Sequence, residues 1–340
     1  MVRVVHFESG LGNQMLDYCD YIAIKKMNPN DKCYAEDMVY DIPECGSVIC
    51  QWNGLEIENI FGIQLNNLRT IFSDEQWNQI IDEVRSSKFW DKDWNYPKYI
   101  VQALKHQGLE LHSEFLDFEE VAKKTNETKW LKSFIRSDLG QSMKRIYRRV
   151  VPQIEPISSS FTIKPYNTYE GHTLSYMFKG TGIEKIENEI KTTFVFPILD
   201  DKKNRDIVDE MRRVNSIAIH IRAGDAMSYN KKYFERNYIQ KAIRFMNSKV
   251  ENPKYYIFGN PDGLNWFRTN LYKMPIKEDN IVYVDWNSGD KSYIDMHLMS
   301  MCKHNIMLFS SFAWWGSYLN SNPNKITIAP EPKMLATHWF

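Results

Sequence analysis

The clearest pattern in the chain is an alternation of short apolar runs with amphipathic segments in its C-terminal third. The runs predict buried strands at Ser216–Ile221, Tyr255–Gly259, Ile281–Val284, Asn305–Phe309 and Lys325–Ala329. The segments between them have helical length and period and predict helices at Tyr233–Phe245, Asp262–Leu271 and Ser292–Lys303. Strands that alternate with helices indicate a parallel sheet with helices on both faces.

The N-terminus opens with the same pattern. Val2–Phe7 predicts a buried strand, Glu8–Gly12 a glycine turn, and Asn13–Lys26 a helix that Asn28–Asp31 ends. Residues 60–190 predict a largely helical, loop-rich region whose boundaries are weakly marked.

A change of composition near Pro197–Arg205 separates the two parts of the chain, because a short apolar run there gives way to a charged helix. We therefore predict an N-terminal α/β and helical domain at 1–199 and a C-terminal domain at 200–340. Two α/β units joined by a hinge are expected to bind a ligand in the cleft between them.

Composition narrows the possible functions. The 340 residues carry 43 Lys+Arg and 43 Asp+Glu, a net charge of zero, whereas a general nucleic-acid binder is expected to be basic. The five cysteines form no CxxC pair, and no signal peptide or span of about 20 apolar residues is present. We expect a cytoplasmic protein that does not bind nucleic acid. A peripheral position at the inner membrane is compatible with this, and the oligomeric state is left open.

The first motif with chemical potential is Ser9-Gly10-Leu11-Gly12-Asn13-Gln14-Met15, between the first strand and helix. Glycines in such a position let backbone N–H groups approach an anion, and the helix start offers unpaired donors. A tight turn that needs glycine φ angles is the simpler alternative. A dinucleotide-binding fingerprint is disfavoured because its sixth position is Met15 rather than glycine.

The second motif is His220-Ile221-Arg222-Ala223-Gly224-Asp225, at the carboxyl end of a predicted strand. Open α/β sheets bind ligands at that end of their strands. His220 and Arg222 point to the same side, Arg222 has the donors to clamp a diphosphate, and Asp225 can accept a proton. The alternative is an Arg222–Asp225 salt bridge beside a packed histidine.

The third motif begins with Asp295-Met296-His297-Leu298-Met299-Ser300 and continues to Ser310-Ser311-Phe312-Ala313-Trp314-Trp315-Gly316. Either Ser310 or Ser311 is placed to cap the helix that follows a strand, which again favours an anion site. Phe312 and Trp315 have helical spacing typical of core residues, and Asp295 has a simple alternative role as a helix N-cap.

Metal-site patterns are weak in this sequence. Asp91-Lys92-Asp93 matches a DxD signature but follows no predicted strand, and the eight histidines form no HxxxH or HxH pair. We predict no bound metal and expect His297, His304 and His338 to be structural or exposed.

Taken together and in this order, the three motifs and the closing Ile326–Pro330 resemble glycosyltransferase family 11, the α-1,2-fucosyltransferases. The resemblance implies a GT-B-like fold, with two Rossmann-like domains facing a cleft and the C-terminal one binding GDP-fucose. It implies an inverting transfer of L-fucose to the 2-hydroxyl of a glycan acceptor that ends in β-galactose. Assembly of a bacterial surface polysaccharide is the setting it suggests.

The same resemblance assigns roles to individual residues. His220 and Asp295 would contact guanine or its surroundings, and Arg222 the diphosphate. Gly10, Gly12, Ser310, Ser311 and Phe312 complete the predicted donor site, and Asn13 would reach the donor phosphate from across the cleft. The family usually has His-x-Arg-Arg-Gly-Asp, whereas Ala223 stands here in place of the second arginine.

An inverting transfer needs positive potential at the leaving diphosphate and a base for the acceptor hydroxyl. We predict Arg222, Asn13 and Asp225 as catalytic residues, with Asp225 as the base and Glu235 as its alternative. Three alternatives remain open: a transferase with another nucleotide-sugar donor, a nicotinamide-dependent oxidoreductase, and a GDP- or glycan-binding protein that has lost catalysis.

Overall fold

A computed structural model of the chain describes residues 1–45, 53–92, 95–113, 157–171, 175–224 and 227–340, without the side chains of 227–229. Its strands are β1 Val2–His6, β2 Lys32–Glu36, β3 Thr168–Gly171, β4 Asn215–Ile221, β5 Pro253–Gly259, β6 Ile281–Tyr283, β7 His304–Ile306, β8 Thr327–Ala329 and β9 His338–Trp339. Its α-helices are α1 Leu11–Met27, α2 Glu56–Phe61, α3 Asp74–Ser87, α4 Tyr96–His106, α5 Glu187–Thr193, α6 Lys202–Arg213, α7 Met227–Glu235, α8 Tyr238–Lys249, α9 Pro261–Thr269, α10 Tyr293–Met301 and α11 Ser311–Tyr318.

The strands form two parallel sheets. The smaller has the order β2-β1-β3, and the larger has the order β6-β5-β4-β7-β8-β9. The predicted α/β class, with a C-terminal parallel sheet flanked by helices, is confirmed. All six predicted strands are present with slightly different ends, whereas β2, β3 and β9 were not predicted.

The larger sheet is buried on both faces, as its apolar runs predicted. Ile217, Ile219 and Ile221 of β4 pack in one core cluster with residues of α8. Ala218 of β4 points the other way, into a cluster with Tyr256 and Phe258 of β5. This two-residue alternation places the two faces of one strand in two different cores.

One segment that was predicted as a single helix forms two helices in the structure. The segment Tyr233–Phe245 is divided between α7 and α8, and Asn237 between them has a φ of 54°. Asparagine is among the few residues that adopt this left-handed conformation readily. The helical period continues across the break, so the pattern alone did not reveal it.

The two sheets share a single core cluster. Phe7 and Met15 from the N-terminal part and Met299, Trp314 and Trp315 from the C-terminal part belong to it, all nearly or fully buried. No helix in the described ranges combines the length and apolar character needed to cross a membrane.

The two parts of the chain approach each other closely at Gly12. A Cβ added there would lie 2.6 Å from the backbone nitrogen of Phe312 and 2.9 Å from its Cα. Gly12 does not have a positive φ; Ser9 is the residue of this turn that does, with a φ of 64°. Glycine is therefore required at position 12 by a close approach of two backbones, and the alternative based on glycine φ angles is wrong for this residue.

The Gly12→Ala substitution should lower the free energy of unfolding by about 1–3 kcal/mol, because the added methyl group overpacks a contact between two backbones. Urea denaturation followed by circular dichroism measures the change. Ser86→Ala, at an exposed position of α3, is the matched control and should change stability by less than about 0.5 kcal/mol. A similarly small change in Gly12→Ala would contradict the close approach.

Candidate active site

The glycine turn after β1 meets the N-terminus of α11, which follows β7. The Ser311 hydroxyl donates to Asn13 Oδ1 at 2.5 Å, and the Trp315 indole N–H donates to the Gly12 carbonyl at 2.9 Å. These bonds join positions about 300 residues apart in the chain. The first and third sequence motifs therefore meet in space.

The start of α11 is fixed by a serine cap. Ser310 has extended backbone angles, and its Oγ accepts from the Ala313 N–H at 3.5 Å, so the predicted cap is confirmed. Because Ser311 already donates its hydroxyl proton to Asn13 Oδ1, the Asn13 Nδ2 group is left to donate elsewhere. Asn13 Nδ2 is a better placed donor for an anion than the Ser311 hydroxyl.

We call the contact of Gly12 and Asn13 with the start of α11 the joint. His220 lies beside this joint, at the carboxyl end of β4. Its ring centroid is 5.7 Å from that of Phe312, and the side chain is buried. Its Nδ1 has no hydrogen-bond partner among the described residues. Burial, reinforced by the positive charge of Arg222, lowers the pKa of His220 to about 3. The imidazole is therefore neutral at physiological pH, and its Nδ1 is a buried polar atom whose hydrogen bond is not made by the described residues.

The loop that follows His220 is held by Asn260. The Asn260 Oδ1 accepts from the Ala223 N–H at 3.3 Å and caps α9 by accepting from Gly263, while its Nδ2 donates to the Ala223 carbonyl at 3.0 Å. Gly224 has a φ of 71°, and a Cβ there would meet the Asp262 carboxylate. This geometry fixes the direction in which the chain leaves β4.

Asn260 was not identified from the sequence as a determinant of this loop. An asparagine followed by proline after a buried strand is a helix-start signal, and that signal was available. Ala223, where the family usually has arginine, is only 5% exposed and has its N–H and carbonyl both bound by Asn260. A long charged side chain would need a different path out of this buried position.

The structure describes two of the other residues that were predicted to act in catalysis, Arg222 and Glu235. Arg222 is partly buried and follows His220 by two residues, whereas Asp225 lies outside the described residues. Glu235 is at the end of α7 with 62% of its side chain exposed, in an ion pair of 3.7 Å with Lys231. Glu235 therefore faces solvent on a helix surface.

Asp295 lies in a separate polar cluster. It is in the first turn of α10, whose N-cap is Ser292, so its alternative role as an N-cap is wrong. Asn287 Nδ2 donates to its Oδ1 at 2.8 Å, and Asn204 in turn bonds to Asn287. Burial raises the pKa of Asp295 to about 7. Asn287 and Asn204 were not identified from the sequence, because a buried polar cluster of distant asparagines has no linear pattern.

The start of α1 differs from its predicted role. Gly10 is the N-cap and offers no side chain, and the Leu11 N–H, which was expected to be unpaired, donates to the buried Glu56 carboxylate at 3.0 Å. Gln14 holds the same loop by accepting from the Glu56 and Ile57 N–H groups. A protein carboxylate thus already occupies part of the anion site that the glycine motif predicted.

Histidines outside the joint have local structural contacts. His297 stacks on Phe196 with ring centroids 4.8 Å apart, and His304 Nδ1 accepts from the Ile326 N–H at 3.0 Å. Asp91 ends a short 3₁₀ turn, and Asp93 lies outside the described residues. In the part of the chain that the structure describes, no group of three His, Cys, Asp or Glu side chains is placed to hold a metal ion.

The bond between Asn13 and Ser311 should be measurable as a coupling energy. In a double-mutant cycle with Asn13→Ala, Ser311→Ala and the double variant, we expect about 0.5–1.5 kcal/mol of coupling in the free energy of unfolding. Urea denaturation supplies the values, and Asn13→Ala paired with Ser86→Ala is the control cycle. Additive effects in the first cycle would show that the two side chains do not interact.

Comparison with known proteins finds similarity to glycosyltransferases. Residues 197–336 match the family described as Glycosyl transferase family 11. The chain is 30% identical over 162 residues to an alpha-1,2-colitosyltransferase of Escherichia coli, covering 46% of this chain and 52% of that protein. It is 31% identical over 131 residues to the O-antigen biosynthesis glycosyltransferase WbnK of Escherichia coli, covering 37% and 39%.

A more distant relative is the bovine (Bos taurus) galactoside alpha-(1,2)-fucosyltransferase 1, 22% identical over 108 residues, 30% of this chain and 29% of that protein. The matched stretch thus spans about half or less of each relative. The family match contains the second and third motifs, and the glycine motif lies before it. Residues 197–336 are therefore similar to glycosyltransferase family 11, the family that the motifs resemble.

Proposed function

We propose that this protein is an inverting glycosyltransferase that moves L-fucose from GDP-β-L-fucose to the 2-hydroxyl of a glycan acceptor ending in β-galactose. The observation that carries the proposal is the contact of the glycine turn with the start of α11, beside the neutral, buried His220. Segments from both sheets thereby border one location next to the loop that carries Arg222.

The nucleotide would lie along the carboxyl end of the larger sheet. His220 offers a neutral ring and a buried Nδ1 without a protein partner among the described residues. Asp295, held by Asn287, offers carboxylate oxygens to the N–H donors of a guanine base. Donors from guanine would stabilise the charged form of Asp295 and offset the desolvation that raises its pKa.

The diphosphate would be neutralised by the protein itself. Arg222 follows β4 at the point where the strand ends, and its guanidinium can form two parallel hydrogen bonds to phosphate oxygens. The amide Nδ2 of Asn13 and the N-terminus of α11 add donors and a partial positive charge. We propose that these groups replace a divalent cation, and that no metal is needed.

In the reaction, the acceptor oxygen attacks the anomeric carbon while the bond from that carbon to the phosphate oxygen breaks. GDP leaves with the electron pair, and a carboxylate of the protein takes the hydroxyl proton. One displacement converts the β-linked donor into an α-linked product, so the configuration inverts.

A second candidate uses a different donor sugar. The Escherichia coli relative that is 30% identical is a colitosyltransferase by name, so transfer of colitose by this chain is the alternative. A role in building a surface polysaccharide is consistent with either donor, because another relative is named for O-antigen biosynthesis.

The donor is identified by a panel of nucleotide sugars. We expect GDP, and not UDP, to raise the melting temperature, with about 2.7 kcal/mol of added stability at 100 times its Kd. Incubation with the GDP derivatives of fucose and colitose and a set of β-galactosides, followed by NMR of the product linkage, should give a fucosyl-α-1,2-galactoside. Preferred transfer of colitose would select the alternative, and a failure to bind GDP would reject both.

Arg222 and the absence of a metal requirement are tested together. Arg222→Ala should reduce transition-state stabilisation by about 3–4 kcal/mol, or two to three orders of magnitude in kcat/KM. Arg212→Ala, at an exposed position of α6, is the matched control and should leave kcat/KM unchanged.

Wild-type transfer should also persist in EDTA. A strict need for Mn²⁺ or Mg²⁺ would contradict the proposal that protein donors replace the cation. Near-normal turnover by Arg222→Ala would remove Arg222 from the mechanism.

A further inference from the structure

A second group of ionisable side chains lies at the carboxyl end of the smaller sheet. His6 ends β1 and Glu36 ends β2, and the two residues are register partners. His6 Nδ1 is 2.8 Å from Glu36 Oε2, and His6 Nε2 is 3.2 Å from Glu8 Oε2. His6 is 2% exposed and Glu36 fully buried, whereas 18% of the Glu8 side chain is exposed.

The buried member of this group is fully bonded. Glu36 accepts from the hydroxyls of Tyr96 at 2.6 Å and Tyr169 at 2.7 Å and from the Met38 N–H at 2.8 Å, besides its contact with His6. These donors occupy both oxygens of a carboxylate that has no access to solvent. Glu36 therefore serves to hold His6 rather than to meet a ligand.

Hydrogen bonds and charges within the group determine the protonation of His6 and Glu36. Burial alone would lower the pKa of His6, but the hydrogen bonds and charges of Glu36 and Glu8 outweigh it and raise the pKa to about 9. Burial would raise the pKa of Glu36, but the hydrogen bond and charge of His6 hold it below its usual value. An imidazolium between two carboxylates has a net charge of −1, and Glu8 is the member that solvent reaches.

Such a group is difficult to explain by stability. Burying charges costs desolvation energy, and apolar side chains of similar volume are often at least as stabilising. A linked set of ionisable side chains at the carboxyl end of a parallel sheet, where such sheets bind ligands, is a candidate functional site.

The position of Glu8 connects this group with the proposed active site. Glu8 immediately precedes Ser9, whose φ is 64° and whose carbonyl accepts from the Tyr40 hydroxyl and Gln14 Nε2. The Glu8 N–H donates to Asp17 of α1 at 3.2 Å. Three residues beyond Ser9, Gly12 touches the start of α11. Glu8 is therefore held by the turn that leads to Gly12, on the N-terminal side of the joint.

We infer that Glu8 is the catalytic base, which takes the proton of the acceptor hydroxyl, and that His6 and Glu36 are positioning residues that keep its carboxylate ionised and oriented. This inference rests on the proposed function. As the acceptor oxygen bonds to the anomeric carbon and GDP leaves, the hydroxyl proton passes to a Glu8 oxygen. The carboxylic acid that results returns the proton to solvent through the exposed side of Glu8.

The test compares three variants with the wild type at saturating donor. Glu8→Gln keeps the shape of the side chain but cannot accept a proton, so kcat should fall by about 10²–10⁴-fold, while the Kd for GDP in calorimetry stays within threefold of the wild type. Glu8→Asp should recover part of that loss. Glu75→Gln, at an exposed position of α3, is the matched control and should have wild-type kcat.

A pH profile separates catalysis from a structural role. Among the described residues, the titratable groups near Glu8 include His6 from β1, Asp17 from α1, Tyr169 from β3, Tyr40 and Cys45, and Glu36 from β2 lies on the other side of His6. If Glu8 is the base, the fall of kcat on the acid side disappears in Glu8→Gln. A loss of rate with an unchanged profile would overturn the inference and indicate a structural role.

Failure of the Glu8 assignment and failure of the proposed function give different results. A Glu8→Gln kcat within threefold of the wild type overturns the inference, and so does an Asp225→Asn variant that alone loses the acid-side fall. A wild-type protein that neither binds GDP nor transfers sugar overturns the proposed function, and the assignment of Glu8 with it. If Glu8→Gln does not fold, the pH profile of Glu8→Asp decides, because a change of base should move the pH at which kcat falls on the acid side, whereas a slower enzyme with an unmoved fall would overturn the inference.

Discussion

The approach of the Gly12 backbone to the first turn of α11 is the contact on which the candidate site depends. It brings the end of β1 against the helix that follows β7, and it leaves no room for a side chain at position 12. The Asn13–Ser311 and Trp315–Gly12 hydrogen bonds are possible only at this separation. Trp315 and its neighbour Trp314 are buried in the core shared by the two sheets, and their packing there stabilises the joint.

The two sheets that meet at the joint contribute different kinds of side chain. The larger sheet contributes the groups suited to a nucleotide diphosphate, namely the neutral His220, the loop of Arg222 and the start of α11. The smaller sheet contributes the negatively charged group of Glu8, His6 and Glu36. Positive potential at a leaving group and a carboxylate near the attacking hydroxyl are the two requirements of an inverting transfer, and under the proposed function each comes from a different sheet.

The ionisable groups of the two sides have opposite effects on stability as the pH changes. His6 has a folded-state pKa of about 9, above its unfolded value, so its contribution is complete below about pH 6.5 and is lost as the pH rises through 9. His220 has a folded-state pKa of about 3, below its unfolded value, so its cost to stability grows as the pH falls below about 6.5. The neutral His220 therefore destabilises the protein as the pH falls, and the charged His6 ceases to stabilise it as the pH rises.

The sequence by itself determined the α/β class, the strands of the larger sheet and the Ser310 cap, because two-residue and helical periods and capping are local properties. Its motifs also indicated the family whose model residues 197–336 match. Tertiary structure decided what depends on distant partners: Asn260 holding Ala223, Glu56 occupying the Leu11 N–H, and Asn13 meeting Ser311. It also decided that His6, between two strand ends and a turn, is charged while His220 is neutral. The pKa of a histidine depends on its burial and on neighbours brought by the fold, and neither is encoded in its adjacent residues.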